Sequence, residues 1–120
     1  MIMKIKKQKE LLVSCNVAGF SHYAGCVVFN ELKIGTPLHL VREDENPHDH
    51  DAVAVFYGET HIGYVPSSKN DQLATMLDLG YCDIFEVYVQ GLDPMAHPEQ
   101  QVQIGIFMKA NEQSDEVRNR

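Results

Sequence analysis

The sequence predicts a mostly β fold, a small closed or nearly closed barrel of five to six strands with one α-helix over residues 67–79. Three observations carry this. The apolar residues fall in short runs rich in Val, Ile, Leu, Tyr and Phe, which suit strands. Gly, Pro, Asn and Asp punctuate those runs at short intervals. One later segment instead spaces its apolar residues as a helix does.

The elements follow in order. Residues 11–20 alternate loosely and are rich in small and β-branched side chains, as a strand requires. Gly19 and Gly25 bracket a connector, and residues 27–32 fit either a short helix or a strand. Gly35-Thr36-Pro37 is a turn signal, and residues 38–43 place Leu38, Leu40 and Arg42 on one face of a strand. A polar loop over residues 43–51 leads to a strand at 52–57. Gly58-Glu59-Thr60 is a hairpin-sized connection to the return strand at 61–65, with Gly63 at a bulge or a close backbone approach. Pro66-Ser67-Ser68 opens the helix, Ser68 and Asp71 have the spacing of a capping box, and Leu73, Met76 and Leu77 share a face. Gly80 stands where a left-handed residue ends a helix. Strands at 82–92 and 101–109 flank a polar turn.

The totals fit one domain of 120 residues with 44% apolar composition, enough for one modest core. The expected division is a flexible basic arm at 1–10, the barrel domain at 11–109 and a polar tail at 110–120. No segment approaches the length needed to span a bilayer, and no signal peptide or other targeting signal is legible, so the expected location is cytoplasmic. Cys15, Cys26 and Cys82 are an odd number at wide spacing, which is neither a disulfide framework nor a metal knuckle; they read as core or strand cysteines.

Charge narrows the function further. Ten basic residues against seventeen acidic ones leave a formal charge of −7. Residues 11–109 hold four basic side chains, Lys33, Arg42, Lys69 and Lys109, against thirteen acidic ones. A protein that grips a length of phosphate backbone presents a basic face. Any nucleic-acid contact here is therefore expected to be local, or to borrow the lysine-rich arm.

Four groups of residues are candidates for chemistry. In the loop, Asn46 and Asp49 are types that bond back onto their own backbone, so spacing alone leaves Asn46-Pro47-His48-Asp49 open as a turn or a site. An Asp49 that folds back onto its loop would make a turn, and one that points outward beside His22, His48 and Tyr64 would make a pocket. His48 and His50, interleaved with Asp49 and Asp51, are an alternative metal site and hence an alternative hydrolase, without the spacing of a known ligand motif. No motif of nucleophilic catalysis or nucleotide binding is present, so no enzyme activity is expected and no cofactor is called for. Phe20, His22, Tyr23, His48 and Tyr64 are flat side chains at or near loops, where they either stack on bases or serve as core and rim.

Together these segments resemble the HIRAN domain. The resemblance rests on Val17-Ala18-Gly19-Phe20-Ser21-His22-Tyr23-Ala24-Gly25, on Gly35 to Glu43, on Asn46-Pro47-His48-Asp49-His50-Asp51-Ala52-Val53-Ala54-Val55, on Ile62-Gly63-Tyr64-Val65-Pro66, and on the Leu73-Ala74-x-x-Leu77 helix. It covers residues 11–92 and suggests a stand-alone bacterial member. It implies an OB-like barrel and a DNA repair or replication context. It also implies a pocket for the 3′-hydroxyl end of single-stranded DNA, made by the first segment, the Asn-Pro-x-Asp loop and the start of the helix. In that pocket Asp49, with Asn46 in its loop, accepts a hydrogen bond from the terminal hydroxyl. An ionised carboxylate only accepts, so it favours a hydroxyl over a terminal phosphate. His22 and His48 stand where the family often places stacking tyrosines, Tyr23 and Tyr64 line the pocket, and N–H groups near Ser67 and Ser68 receive a phosphate. DNA-binding members carry basic residues where this chain has Ser21 and near Ser67, and Lys69 lies two residues along. The expectation is a nucleic-acid-binding module that takes a single-strand end weakly. The alternative is an acidic protein-interaction domain that does not touch nucleic acid. Protein partners are possible, no membrane partner is expected, and the sequence leaves the oligomeric state open.

Overall fold

A computed structural model describes residues 8–110 except residue 24; residues 1–7 of the expected arm at 1–10 and residues 111–120 of the expected tail at 110–120 lie outside the described residues. Strand β1 spans Lys9–Asn16, helix α1 Gly25–Val28, β2 Pro37–Arg42, β3 Val53–Tyr57, β4 Thr60–Tyr64, helix α2 Asp71–Asp78, β5 Phe85–Leu92 and β6 Val102–Lys109. Short 3-10 turns at Phe20–His22, Phe29–Glu31, Cys82–Ile84 and Pro98–Gln100 link them. The strands form one antiparallel sheet in the order β1-β6-β5-β2-β3-β4.

The sheet is mostly β and barrel-like, but no continuous ladder closes it. Its two ends meet at one antiparallel bridge, Ala18 with Tyr64. The N–H of each donates to the carbonyl of the other at 2.8 Å. Residues 11–20 were expected to form one strand. Instead β1 stops at Asn16, and residues 17–19 bond to three separate places: Val17 N–H to Val102 O at 2.9 Å, Ala18 to β4, and Gly19 N–H to the Glu99 carboxylate at 2.8 Å.

Gly63 makes this closure possible. Val55 pairs with Gly63 and Phe56 with His61, so Ile62 is an extra residue and the strand bulges there. A Cβ on Gly63 would lie 2.4 Å from Ala18 O and 2.5 Å from a Val17 methyl, and its φ of +154° is one that side chains rarely adopt. Both readings of Gly63 from sequence, bulge and close approach, hold.

The core lies inside the curled sheet: Val17, Phe20, Val53, Val55, Ile62, Val65, Leu73, Ile104 and Ile106 are fully buried. Phe20 is therefore a core residue, packed edge-on to Phe29 at 6.0 Å and against Gly25, where a Cβ would meet its ring at 2.3 Å. Residues 27–32 resolve into the end of α1 and a 3-10 turn.

Three expectations need correction. The helix begins at Asp71 rather than residue 67, and Ser68 caps nothing: the Lys69 N–H bonds to Pro66 O, which closes a turn through Ser67 and Ser68 first. Asn70 is the residue before the helix, and its side chain makes no cap bond. Cys26 and Cys82 are exposed, because α1 and the 82–84 turn lie on the surface; Cys15 alone of the three is buried. Finally, Lys9 and Glu10 of the expected arm belong to β1, where Lys9 pairs with Lys109. The Lys9 ammonium lies over the Tyr88 and Phe107 rings, 3.8 Å from Glu86.

Two outcomes test this description. Gly63→Ala lowers stability by about 1–3 kcal/mol, the usual cost of forcing atoms into a packed site; an unchanged denaturation midpoint would refute the close approach. Burial pushes the Cys15 thiol up to about 11, with Lys69 opposing. A thiol reagent at neutral pH should modify Cys26 and Cys82 and reach Cys15 only after unfolding, which absorbance titration would reveal.

Candidate nucleic-acid interface

The loop between β2 and β3 folds through its own side chains. Asn46 Oδ1 accepts from the N–H groups of His48 at 2.8 Å and Asp49 at 3.1 Å, which is the turn its residue type favours. Its Nδ2 donates to Glu43 Oε1 at 3.2 Å and lies 3.5 Å from the Tyr64 hydroxyl. Asp49 Oδ1 accepts from Asp51 N–H at 2.9 Å, so Asp49 folds back onto its loop, the turn arrangement of the two alternatives rather than the outward-pointing one. Its other oxygen turns away, to accept from Asn70 Nδ2 at 2.7 Å. The side chain remains half-buried. A carboxylate offers roughly four lone-pair sites, so these two bonds leave acceptor capacity.

Arg42 clamps the other side of the loop. Its guanidinium bonds His50 O at 2.6 Å and Ala52 O at 3.1 Å, and it forks onto Asp78 at 2.9 and 3.3 Å. Helix α2 is thus tied to the loop at its start through Asn70 and to β2 at its end through Asp78. This arginine is one of the few basic groups in the domain, and four of its five N–H donors are engaged in these bonds.

The closing bridge brings two candidate aromatics together. Tyr23 and Tyr64 lie edge to face at 5.5 Å. The Tyr64 hydroxyl donates to Glu43 Oε1 at 2.6 Å. Burial, then the bond to Glu43 and its charge, hold that hydroxyl well above its ordinary value near 10, so it stays a neutral donor committed to Glu43.

Sequence reasoning missed an aromatic column that continues from Tyr23. His61 lies tilted 4.3 Å from Tyr23, Phe56 stacks 5.1 Å from His61, and His39 stacks 5.5 Å from Phe56. The cross-strand pairs His39 with Phe56 and Phe56 with His61 create it. His61 Nε2 donates to Gly63 O at 2.9 Å, which fixes its tautomer. Sequence reasoning also missed Asn70 and Glu43. Asn70 had a legible signal: Asn immediately before Asp71-Gln72-Leu73 is as good a helix-start residue as Ser68.

Ser21, His22, His48, Ser67, Ser68 and Lys69 are exposed. Two hollows lie beside the Ala18–Tyr64 bridge. One, of about 510 Å³, is lined by Glu43, Asp44, Glu45, Asn46, Pro47 and Tyr64 and is acidic. The other, of about 530 Å³, runs between β1, Pro66 and Lys69, and residues 99–103, and carries hydroxyl, amide and ammonium groups, with one carboxylate already bonded to Gly19 N–H. Like charge disfavours a phosphate in the first; the second has the Lys69 cation. Among the described residues no three His, Cys, Asp or Glu side chains converge to hold a metal ion, His48 and His50 included. No helix among them is long and apolar enough to cross a membrane.

The HIRAN domain family model matches residues 11–110. A crystal structure of a protein from Lactobacillus plantarum superposes with a TM-score of 0.73 at 22% identity, covering 86% of this chain and 97% of that one. The crystal structure of the HIRAN domain of human HLTF superposes with a TM-score of 0.62 at 16% identity, covering 92% of this chain and 86% of that one. At these identities the likeness is one of fold. No curated protein matches the sequence.

The raised Tyr64 value has a measurable consequence. Up to pH 10 the hydroxyl is neutral in both the folded and the unfolded chain; above it the unfolded chain gives up a proton that the folded one keeps. The stability this group contributes is therefore present below pH 10 and lost as pH rises. In denaturation at a series of alkaline pH values, Tyr64→Phe should flatten that decline; identical slopes would rule out the Tyr64–Glu43 bond.

Proposed function

The chain belongs to the HIRAN domain family, and on that premise we propose that it binds the free 3′-hydroxyl end of single-stranded DNA, weakly, in a repair or replication setting. The observation that carries this reading is the Asp49 carboxylate, half-buried between its loop and the start of α2, held by Asn70 and Asp51 N–H with acceptor capacity left over. A terminal hydroxyl donates to such a group. A terminal phosphate has only acceptors and charge to offer, and is repelled.

The surroundings support a small ligand contact rather than a long one. Tyr23 and Tyr64 offer apolar area, and His48 in the loop and His22 next to Tyr23 in the chain are exposed and free to stack on a base. Ser21, Ser67 and Ser68 bring hydroxyls where a strongly binding surface would bring charge, and Lys69 is the cation at hand for one phosphate. The role is binding without catalysis and without a cofactor, and a cytoplasmic location belongs to the same reading. One observation favours a second reading, an acidic protein-interaction domain: the net charge of −7 resists polyanions.

Titration by fluorescence anisotropy with a short oligonucleotide ending in 3′-hydroxyl or 3′-phosphate separates these. The hydroxyl end should bind roughly tenfold or more tightly, the share of one charge-assisted hydrogen bond. Equal affinity would remove Asp49 from the site, and no binding even at low salt would favour the protein-interaction reading. Asp49→Ala should weaken hydroxyl-end binding. It should also cost about 1–3 kcal/mol of stability, since it strands the buried Asn70 amide.

A further inference from the structure

We infer that Asn70 is the positioning residue for the Asp49 carboxylate, and that it sets the preference for a hydroxyl over a phosphate end; this rests on the reading above. Asn70 is the buried polar side chain among the described residues, 2% exposed. It precedes α2, where an Asn side chain ordinarily turns back to accept from the N–H groups of its own helix. Here the side chain forms no cap bond and donates 2.7 Å across to Asp49 Oδ2.

Local stability does not call for that arrangement. The Asp49 turn is already closed by the Asp51 N–H on Oδ1 and by the Asp49 N–H on Asn46. Burying an amide costs free energy unless it is bonded, and an apolar residue would pack there without that cost. What the Asn70 bond adds is a second fixed point on the carboxylate. With Oδ1 held by the loop and Oδ2 by the helix, rotation about the Cβ–Cγ bond is blocked, and the unused lone pairs keep one direction. An acceptor held in place is a stronger partner for one donor than a rotating one, because no orientational freedom is lost on binding. The same fixation keeps the negative charge facing the position a terminal phosphate would take. Asn70 touches no ligand in this account and acts through Asp49.

The test measures the ratio of affinities for 3′-hydroxyl and 3′-phosphate oligonucleotides on the full chain, below each variant's own melting transition. Asn70→Ala and Asn70→Leu are compared with the unaltered protein. The first removes the donor. The second removes it too, while filling the buried site with an uncharged side chain of similar size. We expect the ratio to fall from roughly tenfold to within about twofold in both, the loss of one oriented charge-assisted bond. A merely structural Asn70 would lower the melting temperature, and both affinities together, with the ratio unchanged; that result overturns the inference. If the unaltered protein itself shows no preference between the two ends, the end-binding reading fails, and this inference with it. The leucine variant, which leaves no cavity, keeps the test open should the alanine variant fail to fold.

Discussion

The rest of the molecule hangs on one backbone contact, where Gly63 lies against Ala18. Two hydrogen bonds of 2.8 Å between residues 18 and 64 join the far ends of a six-stranded sheet, and they form because nothing projects from Gly63. Without this approach β4 would be a bare edge, with unpaired N–H and C=O groups open to other chains. With it, the stretch after β1 becomes a hub: Val17 reaches β6, Ala18 reaches β4, and Gly19 reaches Glu99. The bulge at Ile62 supplies the bend, and the buried Ile62 and Val65 fill the space beneath it.

The candidate interface is a consequence of that closure. Tyr23 and Tyr64 belong to segments 41 residues apart and meet because Ala18 and Tyr64 pair. From there the order of the strands extends the contact into the column through His61 and Phe56 to His39. The rings face one another within it, so much of their apolar area serves to hold β2, β3 and β4 together.

Electrostatics then limit what this surface holds. Arg42 is bound to Asp78 and two carbonyls, and Lys9 lies over aromatic rings beside Glu86. The loop contributes Glu43, Asp44 and Glu45 on one side and Asp49 on the other. A surface with this balance offers hydrogen-bond acceptors and flat side chains, and like charge works against a polyanion on it. The clamps at the two ends of α2 keep the acceptors in place.

Much of this was legible in the sequence. Short apolar runs and turn residues determined six strands within a few residues of their ends, because side-chain period and backbone chemistry are local. Gly63 announced a bulge or close approach, and Asn46-Pro47-His48-Asp49 announced a self-bonded loop, for the same reason. The start of α2 was misread. Ser68 and Asn70 are both helix-start types, and only the turn from Pro66 to Lys69 and the distant Asp49 decide between them. Cys26 and Cys82 read as core because their neighbours are apolar, yet burial depends on which way a surface helix or turn faces the sheet. Asn70 with Asp49, Tyr64 with Glu43, and His39 with Phe56 and His61 are pairs between separate elements. Local periodicity carries no information on which side chains from different strands and helices meet. The pairing order of the strands and the closure at Gly63 alone bring them within reach.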